Sequence, residues 1–307
     1  MSEILKLKFL EYINTNIDKT LSTRKDTELR IATYNIHYFT NVFEDTDTYN
    51  YIINDIKNIN ANFIGLQEFI LGNIVKINKK LFINLNNFYQ DIEKLGYNKT
   101  TLCNSVPSWF SAVYGNILLV KNYCDNSICQ KLDESIYTFE KSKINKIVSG
   151  IHEGIQETRC FIKVHIQYNN YNIILYVTHL DVSTEDNRLI QIQYIISDSE
   201  KYKQTNDVVF IMGDFNTINI KEQPDLSWQT NPFLKDNGIV INTLLKNGFF
   251  DCHKDNPAIM TTWSNIRVDF IFCNKKINGP FRAEYYWTIS SDHLPVILTI
   301  TPNTVFS

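Results

Sequence analysis

The sequence predicts an α/β protein in which two packed β-sheets are flanked by helices. Apolar runs of strand length recur along the chain, and several end on a polar or acidic residue. Between them, apolar residues three and four apart mark helices, so strands and helices alternate through the middle of the chain. Near the ends, strand-like runs follow one another directly, which calls for a second sheet. The clearest run is Asp207–Thr217, DVVFIMGDFNT. Val208–Met212 read as a strand buried on both faces, and Gly213 as a tight turn where it ends. Asp214 and Asn216, two positions apart, then turn toward one small volume. Asp, Asn and Gly are also ordinary turn residues, so the run gains meaning only beside other strand ends of its kind.

Taken in order, Leu5, Phe9, Ile13 and Ile17 recur every four residues and predict an N-terminal helix packed against the body of the protein. A polar stretch, Ser22–Glu28, separates it from the strand Arg30–Tyr34, which delivers Asn35. The expected division is a helical extension over 1–28 and one domain over 29–302. A helix follows over 47–60, with Ile52, Ile53, Ile56 and Ile59 facing inward and Thr46 or Asp47 as N-cap. The strand Phe63–Leu66 ends at Gln67-Glu68, and a glutamate closing an apolar strand must pair or bind a cation. Ile74, Ile77, Leu81, Leu85, Phe88, Ile92 and Leu95 are spaced as one long amphipathic helix with Gly96 at its C-cap.

Pro107, Trp109 and Phe110 fall in a loop before the strand Ile117–Val120, which Asn116 enters. Aromatics so placed stack on a base, contact a lipid or cover a sheet edge. Residues 121–150 are polar and mixed in charge, with no basic patch. Glu157-Thr158-Arg159 lead into the strand Cys160–Ile166, and a further strand, Ile173–Thr178, closes on His179. Ser183 or Thr184 caps the next helix, whose inward positions are Leu189, Ile192 and Ile196. Arg267–Phe272 alternates into a strand with Asp269 near its start, where an unpaired carboxylate is costly. Ser291-Asp292-His293 precede the last strand, Leu294–Ile300, and present a metal ligand and a base side by side.

Composition narrows the class. Hydrophobic residues make up 44% and charged residues 21%, which is ordinary for a globular protein, and net charge is −3. No electrostatic footprint of a nucleic-acid binder is present, although a metal can supply local positive charge to an enzyme acting on phosphates. The six cysteines contain no C-x-x-C pair and no zinc spacing, so reduced thiols and an intracellular, cytoplasmic location are expected. No signal-peptide core and no membrane-spanning run is found.

Together TYN at 33–35, LQE at 66–68, YGN at 114–116, THLD at 178–181, GDFN at 213–216, RVDFIF at 267–272 and SDH at 291–293 resemble the endonuclease/exonuclease/phosphatase (DNase I-like) superfamily. The segments occur in that family's order and cover about residues 30 to 300. The resemblance implies a four-layered α/β sandwich, two mixed sheets flanked by helices, with the site at one edge of the sheets. It implies that Asn35, Glu68 and Asp292 hold Mg²⁺, with Mn²⁺ as a substitute. It further implies that Asp214 and Asn216 position and deprotonate water, that Asp269 orients His293, and that His179 contacts the phosphate. Asn116, Trp109 and Arg159 are placed toward substrate. The expected function is a Mg²⁺-dependent phosphodiester hydrolase, with nucleic acid ranked ahead of phospholipid or a small soluble phosphoester. A silent binding module on the same fold is a third reading, and retention of Glu68, Asp214 and His293 argues against it.

Overall fold

Val208, Phe210 and Met212 are buried in one core while Val209 and Ile211 are buried in another, so the unbroken apolar run does form a strand covered on both faces. The computed structural model describes residues 2–40, 47–76, 79–83, 85–104, 113–121, 129–139, 159–182, 184–219, 238–255, 260–263 and 265–307. In chain order these form α1 (Ser2–Asn16), β1 (Leu29–Asn35), a 3-10 turn (His37–Phe39), α2 (Tyr49–Ile59), β2 (Phe63–Lys76) and β3 (Lys79–Ile83). Next come α3 (Leu85–Lys94), β4 (Tyr97–Asn104), β5 (Val113–Lys121), β6 (Cys129–Thr138), β7 (Cys160–Tyr168) and β8 (Tyr171–His179). Then follow α4 (Glu185–Gln204), β9 (Val208–Asp214), α5 (Ile239–Lys246), β10 (Phe250–Asp251) and β11 (Asp269–Cys273). The chain closes with β12 (Ile277–Asn278), β13 (Phe281–Tyr285), β14 (Val296–Ile300) and β15 (Val305–Phe306).

One sheet has the order β13-β14-β1-β2-β5-β4, with β3 paired to β2; the other has the order β10-β11-β9-β8-β7-β6. Both are mixed: β1 and β2 are parallel, as are β8 and β9, and their other neighbours are antiparallel. The sheets pack face to face through Ile31, Phe63, Leu118 and Leu298 on one side and Val164, Leu175, Phe210 and Ile271 on the other. Ile52, Ile56, Phe88 and Ile92 of α2 and α3 cover the outer face of the first sheet. Ile192 and Ile195 of α4, with Val240 and Leu244 of α5, cover the second. Four layers result, as expected. Helix α1 buries Phe9 and Ile13 against Leu294, the residue after His293.

Some expectations are corrected. Residues 71–76 and 79–83 are strand rather than helix: Ile74 and Leu81, two turns apart in a helix, are facing partners across the β2–β3 pair. Their spacing suits either structure, and only α3 keeps the helical half of the pattern. Cys103 and Cys160 are not reduced thiols but a disulfide joining β4 to β7, hence one sheet to the other. The pair lies 57 residues apart, so no short spacing motif announces it. Cys252 and Cys273 are free and buried. The polar stretch 121–150 contains β6, an edge strand whose exposed Ser135 and Ile136 leave no continuous apolar run. Gly213 is not a turn residue, because β9 continues through Asp214. A Cβ there would lie 1.9 Å from the carbonyl oxygen of Thr178, so glycine permits the close approach of β8.

Candidate active site

Strand ends of both sheets meet at one edge. In the parallel β8–β9 pair His179 is the register partner of Asp214, and in the antiparallel β9–β11 pair Asp214 faces Asp269. From the other sheet β1 contributes Asn35. Strand β2 carries a bulge here: Leu66 pairs with Ile117 and Phe69 with Gly115, so Gln67 and Glu68 together oppose Asn116. Glu68 takes φ 54°, a left-handed value uncommon outside glycine, and the bulge turns its carboxylate into the site. Asn216 is left-handed as well, at φ 47°, and its N–H donates to Asp214 Oδ1 at 2.8 Å. It therefore reaches the same volume as Asp214 through a turn rather than along an extended strand.

Asn35 links the two sheets. Its side-chain nitrogen donates to Glu68 Oε1 at 3.2 Å and to Asp214 Oδ2 at 2.9 Å, while its oxygen accepts the His37 N–H at 3.1 Å. Ser291 Oγ donates to the Asn35 carbonyl at 2.7 Å, which pins the turn carrying Asp292 and His293 against β1. His293 Nδ1 lies 2.9 Å from Asp269 Oδ2, and its Nε2 lies 3.8 Å from Asp214 Oδ2. Burial alone would lower the imidazole's pKa. Asp269, Asp292 and Asp214 overcome that and hold it well above the usual histidine range, so His293 is a cation among carboxylates. Burial, and then the Asp269 charge, push the Asp214 carboxyl upward.

His179 is the opposite case. Burial, then Arg159 and His293, hold it well below its ordinary value, so the ring is neutral. Arg159 Nη1 is 3.0 Å from Nδ1 and Asn216 Nδ2 is 2.9 Å from Nε2, two donors facing a neutral ring with a single lone pair, so one ring nitrogen accepts and the other keeps the proton. Nε2 faces Asp214 Oδ2 at 3.5 Å; Asn216, 2.9 Å from Nε2, donates its amide hydrogen to the Leu180 carbonyl at 3.1 Å.

The structure therefore brings together Asn35, Glu68, Arg159, His179, Asp214, Asn216, Asp269, Asp292 and His293. Asn116 lies at the floor, its nitrogen donating to the Cys160 carbonyl at 3.1 Å and its buried oxygen without a hydrogen-bond partner. Trp109, with Pro107 and Phe110, lies outside the described residues. Sequence reasoning passed over His37 and Ser291. His37 follows the TYN segment by two positions, and its charge favours an ionised Glu68. Ser291 stood in plain view as the first residue of SDH.

The order of these residues along the chain and their convergence at one sheet edge agree with a sequence profile of the Endonuclease/Exonuclease/phosphatase family, which matches residues 32–293. The chain belongs to this family. An endonuclease/exonuclease/phosphatase from Beutenbergia cavernae superposes with a TM-score of 0.67 at 13% identity, over 89% of this chain and 71% of that one. The human Nocturnin catalytic domain, solved with a bound sulfate anion, gives 0.60 at 13% identity, over 93% and 97%. A family protein from Leptotrichia buccalis gives 0.59 at 20% identity, over 89% and 99%. At such identities these likenesses establish the fold. No curated protein matches the chain in sequence.

The family's enzymes are metal-dependent hydrolases, and the residues here fit a hard cation. Glu68 Oε2 is buried with no hydrogen-bond partner. Burial raises the Glu68 carboxyl, with His37 pulling it down and the like charge of Asp292 pushing it further up, which is the setting a divalent ion relieves. Glu68, Asp292 and the Asn35 oxygen are oxygen donors of the kind Mg²⁺ takes. Among the described residues, Asp214, Asp269 and His293 also bring ligand atoms within 4.8 Å of one another. There the imidazolium already balances the carboxylates, so the Glu68 side has the greater need of an ion.

Proposed function

We propose that this chain is a Mg²⁺-dependent phosphodiesterase acting on nucleic acid, with Mn²⁺ able to substitute. The observation that carries the reading is the buried cluster of Asp214, Asp269 and His293 beside a glutamate oxygen that lacks a partner. Glu68, Asp292 and Asn35 would hold the ion, which when bound neutralises charge on the phosphoryl oxygens. Asp214, raised toward neutrality and fixed by Asn35 and the Asn216 N–H, takes a proton from the attacking water as the new P–O bond forms and the ester P–O bond breaks. His293, kept cationic by Asp269, faces the charge that develops on the phosphoryl group. Neutral His179, held between Arg159 and Asn216 and beside Asp214, is placed to contact a phosphate oxygen. Ranking nucleic acid first rests on the family's nuclease branches. The net charge of −3 and the absence of a basic run favour a second reading, a phospholipid or small phosphoester substrate.

The test is purified protein with Mg²⁺ or Mn²⁺ against labelled DNA, RNA, sphingomyelin and phosphoinositides side by side. Cleavage of DNA or RNA at the highest kcat/KM supports the reading. Turnover confined to the lipid or small phosphate substrates moves it to the second.

A further inference from the structure

Asp55 of α2 shares the inward face of that helix with Ile52, Ile56 and Ile59 and is 3% exposed. A carboxylate on an apolar stripe is costly unless it is fully engaged. Its partners are hydroxyls drawn from two different pieces of the active site. Tyr34, the residue before Asn35, donates its OH to Asp55 Oδ2 at 3.2 Å, and Thr288 donates its own to the same oxygen at 3.0 Å. Thr288 Oγ1 lies 2.7 Å from Ser290 Oγ and accepts the Ser290 N–H at 3.1 Å. Ser291 then donates to the Asn35 carbonyl at 2.7 Å and accepts the His293 N–H at 3.3 Å. A closed circuit results, running from Asp55 through Tyr34, Asn35, Ser291, Ser290 and Thr288 back to Asp55. Burial pushes the Asp55 carboxyl up to about 7, against the hydroxyls of Ser290, Thr288 and Tyr34.

We propose that Asp55 is a positioning residue that ties the strand end bearing Asn35 to the turn bearing Asp292 and His293, and so sets the spacing between the cation-holding and acid–base halves of the site. The inference rests on the phosphodiesterase reading for its kinetic consequence. Filling alone does not account for the residue, because an isoleucine or leucine would complete the stripe without burying a charge. Both hydrogen bonds converge on one oxygen, and each fixes a segment one to five residues from a group in the site. Partners that orient metal ligands from behind matter by about 10–100-fold in metal affinity or activity.

The experiment compares wild type with Asp55→Asn, Asp55→Leu and Thr288→Val. It reads Mn²⁺ affinity by electron paramagnetic resonance, kcat and KM on bis(4-nitrophenyl) phosphate, and thermal unfolding. Asp55→Leu should bind Mn²⁺ about 10–100-fold more weakly and lose kcat by a similar factor, with KM changed by less than about threefold. Asp55→Asn keeps an acceptor oxygen for both hydroxyls and should recover most of the loss. Thr288→Val should fall between them, and the Asp55→Leu, Thr288→Val double variant should be little worse than Asp55→Leu alone. If Asp55→Leu does not fold, Asp55→Asn and Thr288→Val carry the test, and wild-type values in both overturn the proposal. A folded Asp55→Leu protein with a lower Tm but wild-type Mn²⁺ affinity and kcat overturns it, as does an asparagine variant no better than leucine. Wild type that binds Mn²⁺ yet cleaves no phosphodiester defeats the activity reading alone, and the Mn²⁺ comparison still decides the role of Asp55. Wild type that binds no Mn²⁺ overturns both.

Discussion

Removing the imidazole of His293 takes away the cation that Asp269, Asp292 and Asp214 surround. What remains is two buried carboxylates, Asp214 and Asp269, paired in register across β9 and β11. Two like charges about 4 Å apart repel by roughly 4 kcal/mol at the effective dielectric constant of a protein site. One of the two therefore takes up a proton near neutral pH, and the loss of His293 also costs Asp214 its capacity as a base. The two effects together place the loss in kcat at about 10²–10⁴-fold. Steady-state kinetics of His293→Ala at saturating substrate and Mg²⁺ should show it, with metal affinity nearly intact because the imidazole lies on the Asp269 side. Asp269→Asn should lose a large part of the same activity, and the double variant should be little worse than either single one. The sign with pH follows from the raised pKa. The stabilisation from His293 is fully present below about pH 6.5, the unfolded value, and is lost as pH rises through the higher folded value. The Tm deficit of His293→Ala should accordingly be larger at pH 6 than at pH 9. Near-normal kcat in a folded His293→Ala protein would refute the reasoning.

Gly213→Ala should be among the most damaging substitutions outside the charged groups. Its Cβ would sit 1.9 Å from the Thr178 carbonyl oxygen, and denaturant unfolding should show a loss of about 4 kcal/mol or more; a loss under about 1 kcal/mol would show that β8 and β9 can part at no cost. Trp109→Ala should raise KM with little change in Tm if Trp109 meets substrate, and should lower Tm with unchanged kinetics if its role is packing alone. Asp55, pushed up to about 7 by burial, stays protonated in the folded protein at pH values where the unfolded chain has already ionised. Its stabilisation is full below the unfolded value near pH 4 and is lost as pH rises through 7. The Tm of Asp55→Asn relative to wild type should therefore climb between pH 4 and 7, and a constant difference contradicts this origin.

Much of this architecture was legible because the strands that carry the site are buried on both faces. Val208–Met212 and Ile173–Val177 have nowhere polar to point, so their apolar runs end where the site begins. Glu68 and Asp269 stood out for the same reason, as carboxylates closing or opening such runs. The β2–β3 pair was not legible, because Ile74 and Leu81 satisfy helical spacing and cross-strand pairing alike and run on into the true helical spacing of Leu85 and Phe88 in α3. The disulfide between Cys103 and Cys160 depends on how two sheets stack, which residue spacing does not encode. Asp55 was hidden among isoleucines on α2. The mark it left was an acidic residue on the inward face of an amphipathic helix, and that mark gains meaning only once Tyr34 and Thr288 are seen to converge on it.

The most direct test of the central claim is a cation titration of phosphodiester hydrolysis by wild type and Glu68→Gln. The account predicts no turnover in EDTA, recovery with Mg²⁺ or Mn²⁺, and a Glu68→Gln protein that binds Mn²⁺ at least about tenfold more weakly while remaining folded. Full activity of the wild type in chelator, or an unchanged Mn²⁺ affinity in Glu68→Gln, would contradict it.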